Sequence, residues 1–120
     1  MPYLSEKDTV ILLNLYHSAL KIQRYSQDHF HWESFSEDEE SYDAAMMNFV
    51  VIGECAGKLS DPFKDALQNI NWRKMYNYRN IIAHDYFGID TEIAWEIITK
   101  DIPNLIIEIE TVFDENKINH

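Results

Sequence analysis

The sequence predicts an all-α protein, one domain over residues 1–120 folded as a compact bundle of about five helices. Three observations predict it. Apolar residues recur at helical spacing in nearly every segment, and strand-like alternation is absent. The chain is 46% hydrophobic and 13% aromatic, which supports a real core and argues against disorder. There is no internal repeat or low-complexity linker, so its 120 residues are expected to share a single core.

The first helix is expected from about Glu6 to Tyr25, with Ser5 as cap and Asp8 three residues on. Val10, Leu13, Tyr16, Leu20 and Leu12, Leu15, Ala19, Ile22 give it a broad apolar face. "SQDHFHWESFSEDEE" reads as a connection with room for one short helical turn. A second helix is expected from about Asp38 to Leu59, with Ser36 and Glu39 as its capping box. Tyr42, Ala45, Met46, Phe49, Ile52, Gly53, Ala56 and Leu59 form its stripe. Gly53 and Gly57 each cost about 1 kcal/mol relative to alanine in a helix interior, so a close helix crossing is expected there, within the chain or across a dimer. Asp61-Pro62 reads as a cap with proline at the first position of a short helix to about Asn69. Asn71 caps a fourth helix, Trp72 to about Tyr86, which Gly88 stops. Asp90 caps a fifth, which Pro103 either kinks or divides from a sixth.

No apolar run approaches the roughly 20 residues that a membrane span needs. "MPYLSEKDTV" lacks the pattern of a secretory leader, and the single Cys55 fits a reducing compartment, so a cytoplasmic location is expected. The formal net charge of −11 opposes broad coating of nucleic acid, which depends on many Lys and Arg contacts. Residues 25–57 carry eight acids and no Lys or Arg, while residues 66–84 carry no acid but hold Arg73, Lys74 and Arg79. A small basic island on an acidic body suits a focused phosphate contact.

That island leads into "YRNIIAHDYFGID", residues 78–90. On one continuous helix, Arg79 and Tyr86 are nearly eclipsed, and Asn80 lies about 40° from His84. Ile81 and Ile82 then turn to the other side as anchors. Histidine exchanges a proton near neutral pH, and the arginine fork matches phosphate oxygens. No Cys–His or Ser–His nucleophile pair is adjacent. RNA brings its own nucleophile, the 2′-hydroxyl, so a histidine base and an arginine clamp suffice without metal. The same residues also suit an ordinary surface pair or a helix C-cap. His29, His31 and Glu33 have loose metal-ligand spacing in a connection and lack a fourth ligand, so neither a metal nor a cofactor is expected. Cys55, Trp72 and Trp95 read as buried or interface anchors, and Glu54 reads first as a solvated glutamate, with orientation of Arg79 across a helix interface as the other reading.

"NFVVIGECAGKLS", "NWRKMYNYRNIIAHDYFGID" and "AWEIITKDIPNL" occur in the order and spacing of the HepT-like (DUF86) branch of the HEPN superfamily, which the chain resembles over nearly its whole length. The core of the resemblance is Arg-x4-His-x-Tyr, here Arg79, His84 and Tyr86, followed by Gly88–Asp90. The resemblance implies a homodimeric helical domain. It implies a metal-independent ribonuclease acting as the toxin of a prokaryotic type VII-like toxin–antitoxin pair. The implied partner is an MNT-type nucleotidyltransferase antitoxin. Arg79 and His84 are then the catalytic pair of a site completed by two subunits, with Asn80, Tyr78 and Arg73 supporting the substrate. Tyr86 is the implied acceptor of nucleotidylation. Asn77-Tyr78 stands where many relatives have Gly-Met, and Tyr76 and Tyr78 are expected either to stack on bases or to pack at the dimer. The competing reading is a non-catalytic subunit that binds a nucleotide or the nucleotidyltransferase.

Overall fold

In the computed structural model, residues 4–120 are described; the first three residues of the leader reading lie outside them. Among the described residues there are seven α-helices, packed as a bundle, and no strand. They are α1 (Glu6–Ser26), α2 (Trp32–Glu37), α3 (Glu39–Lys58), α4 (Asp61–Ala66), α5 (Trp72–His84), α6 (Thr91–Glu96) and α7 (Ile102–Glu115). Helix α3 is the central element, packed on α1 along one side and on α5 along the other. Helix α7 closes the far side of α1, and α2 bridges α3 and α6.

The core follows the apolar stripes. Leu12, Leu15, Tyr16, Ala19 and Ile22 of α1 meet Ala45, Met46, Phe49 and Ile52 of α3, and Leu105, Ile109 and Phe113 complete the packing. Val10, expected on the buried face, is instead 60% exposed at the edge of the α1 stripe. Ser5 caps α1 as expected, accepting a hydrogen bond from the Asp8 amide. Two other caps shift by one or two residues. Helix α2 uses residues 32–37, so the Ser36 hydroxyl donates to the Glu33 carbonyl within it, and Asp38 caps α3 by accepting from the Ser41 amide. Ser60 rather than Asp61 caps α4, because its side chain reaches the Phe63 amide. The Ser60 amide and hydroxyl both donate to the buried Asp8 carboxylate, which ties α4 to α1.

The fourth predicted helix ends earlier than expected. Asp85 leaves the helical region at φ −151°, and its carboxylate accepts from the Gly88 amide to close a 3₁₀ turn over Tyr86–Gly88. A Cβ on Gly88 would lie 2.1 Å from Asp85 Oδ2, so glycine serves this turn by close approach. Pro103 stands in the first turn of a separate last helix, α7, which is the second of the two expected outcomes. A π-helical segment, Ile97–Asp101, joins α6 to α7, and the Ile102 amide donates to the Ile97 carbonyl five residues back. A proline next to this wide turn removes an amide where the ordinary ladder is already interrupted.

Candidate active site

Helix α5 carries the motif, and its register is set by three buried side chains, Met75, Tyr78 and Ile82. Asn71 starts it by accepting from the Lys74 amide at 3.0 Å. The helix lies unusually close to α3 because of two glycines. A Cβ on Gly53 would stand 2.4 Å from Arg79 Cβ and 3.1 Å from the Met75 carbonyl, and one on Gly57 would stand 2.9 Å from Tyr76 Cε1. The expected close crossing is thus within the chain. Gly53 makes the space in which Arg79 sits.

Arg79 is held loosely at this crossing. Its Nη2 lies 3.8 Å from Glu54 Oε1, and both side chains are partly solvated, so the pair contributes little energy. Its guanidinium is 5.7 Å from the centroid of the Tyr76 ring. This geometry orients the fork and leaves it free to take a phosphate. His84 is the last residue of α5; it is exposed, and among the described residues no hydrogen bond or ion pair restrains its side chain. Asn80 is half-buried, and Arg73 is exposed near the start of the helix.

Three side chains of the predicted site lie elsewhere than expected. Tyr86 does not share the helical face of Arg79, because the helix has already ended. It sits half-buried in the 3₁₀ turn, edge-on to Tyr42, and its hydroxyl donates to the Asp43 carboxylate on α3. Burial first, then the bond to Asp43 and its charge, push the Tyr86 phenol well above its ordinary value. Tyr78 is 6% exposed and packs edge-on against Phe49, so it is a core residue and offers no surface for stacking on a base. Its hydroxyl has no hydrogen-bond partner among the described residues, and burial pushes its pKa far up. Ile81 is 53% exposed, which leaves Ile82 as the anchoring isoleucine of the pair.

Asp43 is the site residue that sequence reading missed. It falls inside an acidic helical segment and meets Tyr86 across 43 residues of chain, so no local spacing marks it. Glu54 is both half-solvated and turned toward Arg79, so its two sequence readings meet in one side chain. The histidine cluster near α2 has another use: His29 contacts Ser34 and Asp38. No group of metal-ligating side chains is gathered among the described residues. Trp72 donates to the Leu67 carbonyl and Trp95 packs on Phe35, while burial raises the Cys55 thiol; all three are structural. No described helix is long and apolar enough to cross a membrane.

Comparison with known proteins places this geometry in a family. A Methanocaldococcus jannaschii protein named "Gamma-glutamylcyclotransferase and putative RNase" is 32% identical over 117 residues, 94% of this chain and 52% of that protein. The chain therefore spans about half the length of that relative. A second protein of the same organism, named "Putative RNase", is 28% identical over 110 residues, 91% of this chain and the whole of that protein. A Thermococcus cleftensis protein named "Probable ribonuclease HepT" is 32% identical over 74 residues, 62% of this chain and 67% of its own. No solved structure matches the chain. The model of the ribonuclease HepT-like family matches residues 15–112, a span that holds α5, its glycine crossing with α3 and the Tyr86 turn, and the chain belongs to that family.

Proposed function

We propose that the protein is the RNA-cleaving toxin of a type VII-like toxin–antitoxin pair, with Arg79 and His84 as its catalytic residues. The observation that carries this reading is an unrestrained histidine and a nearly free arginine on one helix of a ribonuclease-like family member. Neutral His84 takes the proton of the 2′-hydroxyl as that oxygen bonds to phosphorus. Arg79 neutralises the charge gathering on the phosphorane oxygens, and the bond to the 5′ oxygen breaks. The leaving oxygen takes a proton from an imidazolium. Five residues of helix put Arg79 and His84 about 140° apart, so one copy presents them to different sides. This favours a homodimeric site in which one copy's arginine works beside the other's histidine.

Regulation is assigned to Tyr86, modified by an MNT-type nucleotidyltransferase antitoxin. A nucleotidyl group on its oxygen removes the donor to Asp43 and sets a phosphate charge beside that carboxylate, which drives the Tyr86–Gly88 turn away from α3. The test of catalysis compares RNA cleavage by purified wild type and His84→Ala, with folding and dimerisation verified in both. The expected loss is at least about 100-fold. Equal rates would reject the catalytic assignment and favour the non-catalytic binding subunit.

A further inference from the structure

A second feature of α5 lies toward its other end. The C-terminal part of α3, α4 and the first half of α5 enclose an open groove of about 830 Å³, a size suited to a small planar ligand. Its lining is distinctive in chemistry. Three exposed amides, Gln68, Asn69 and Asn77, meet one exposed guanidinium, Arg73, and the partly exposed ring of Tyr76. Among the described residues, none of those three side-chain amides is engaged in a hydrogen bond or ion pair, nor is the Arg73 guanidinium, whereas the neighbouring Asn71 side chain is taken by the Lys74 amide. Gly57 lets Tyr76 lie down against α3, and the same ring carries the Arg79 guanidinium 5.7 Å from its centroid. Tyr76 is therefore a wall common to the groove and to the phosphate clamp.

From this arrangement we infer that the groove is a subsite for one unpaired nucleobase of the RNA, the base adjoining the phosphate that Arg79 holds. The inference rests on the ribonuclease reading and deepens it. Side-chain amides present donor and acceptor together, which is what the edge of a base requires. An aromatic wall gives it a stacking surface. A polyphosphate fits poorly: the Lys64 ammonium is occupied by the Ala56 carbonyl and Asp61, and Asp61 and Asp65 both line the groove. With Arg73 as the one uncommitted cation of its lining among the described residues, the groove suits a neutral ring flanked by a single phosphate. The RNA then runs along α5 from Arg73 past Tyr76 to Arg79, where the second copy's histidine completes the proposed site, and it is held by base contacts more than by charge.

The test uses the full chain and a mixed-sequence oligonucleotide with every 2′-hydroxyl methylated, which binds without being cleaved. Its affinity is measured by fluorescence anisotropy for wild type, Asn77→Ala, Arg73→Ala, the double variant, and Lys100→Ala as a charge control outside the groove. Thermal melts verify folding. The double variant is expected to bind about tenfold more weakly or worse, and Lys100→Ala within about twofold of wild type. On cleavable RNA, Asn77→Ala is expected to flatten the base preference beside the cut. Excess nucleoside triphosphate is expected not to compete with the oligonucleotide; competition as strong as that of RNA would overturn the base subsite. If wild type cleaves and the groove variants match it in affinity and cutting pattern, the subsite fails while the ribonuclease reading stands. If wild type binds through Arg73 and Asn77 without cleaving, the subsite stands and the catalytic reading fails. If it neither binds nor cleaves, both fail.

Discussion

Among single residues, Tyr86 has the most consequential environment. Its phenol is half-buried, and burial together with the Asp43 carboxylate holds its proton more firmly than solvent does. The folded pKa thus lies above the unfolded value of 10.0, so the stability this bond contributes is complete below pH 10 and is lost as pH rises further. For nucleotidylation the same contact has a second consequence. The phenol is a weak nucleophile while protonated, and Asp43 is already placed to accept its proton. In the proposed transfer the Tyr86 oxygen would bond to the α-phosphorus of a nucleoside triphosphate as pyrophosphate leaves, and its proton would pass to that carboxylate. Supplying the transferase partner and a nucleoside triphosphate is therefore expected to add nucleotidyl mass to Tyr86, read by peptide mapping. Tyr86→Phe should gain none, and Asp43→Asn should react about 100-fold more slowly. Mass that maps to another residue, or persists in Tyr86→Phe, would reject Tyr86 as the acceptor.

At the level of elements, the crossing of α3 and α5 decides where Arg79 stands. Gly53→Ala puts a methyl 2.4 Å from Arg79 Cβ and 3.1 Å from the Met75 carbonyl, neither of which is the free end of a flexible chain. Alanine gains about 1 kcal/mol of helix propensity, but forcing the helices apart costs about 1–3 kcal/mol and displaces Arg79. Gly57→Ala meets only the ring edge of Tyr76 at 2.9 Å, which yields more easily. Denaturant melts are expected to show Gly53→Ala as the less stable of the two, with cleavage reduced as well; the reverse order would contradict the crossing. The sequence made this contact half legible, since two helical glycines demanded a close neighbour without naming it. Local signals carried well at Ser5, Asn71 and Asp90, whose caps depend on the next few residues alone. They misled at Ser36, which α2 absorbed, and at Gly88, where the Asp85 carboxylate ended the helix first. Asp43 beside Tyr86 and the amide groove were illegible, because each is assembled from segments distant in sequence.

For the whole molecule, charge sets how RNA is approached. A body of net charge −11 repels a polyanion, and the salt-free attraction is confined to the stretch that carries Arg73, Lys74 and Arg79. Lys74 is drawn off by Asp101 at 2.6 Å, so two or three phosphate contacts per chain are the most this surface offers. Each neutralised phosphate of a single strand contributes about −0.7 to the slope of log affinity against log salt. The methylated oligonucleotide is therefore expected to show a slope no steeper than about −2 per chain between about 50 and 200 mM salt. Self-repulsion makes the slope shallower still, because added salt also screens the acidic body from the RNA. A basic coating protein behaves in the opposite manner and loses orders of magnitude over that range. A measured slope steeper than about −3 would mean that RNA spreads over a surface far wider than α5, and it would remove the basis for placing recognition in one helix. A shallow slope with affinity still dependent on Arg73 and Asn77 ties specificity to base contacts, which an acidic ribonuclease needs in order to bind RNA against its own net charge.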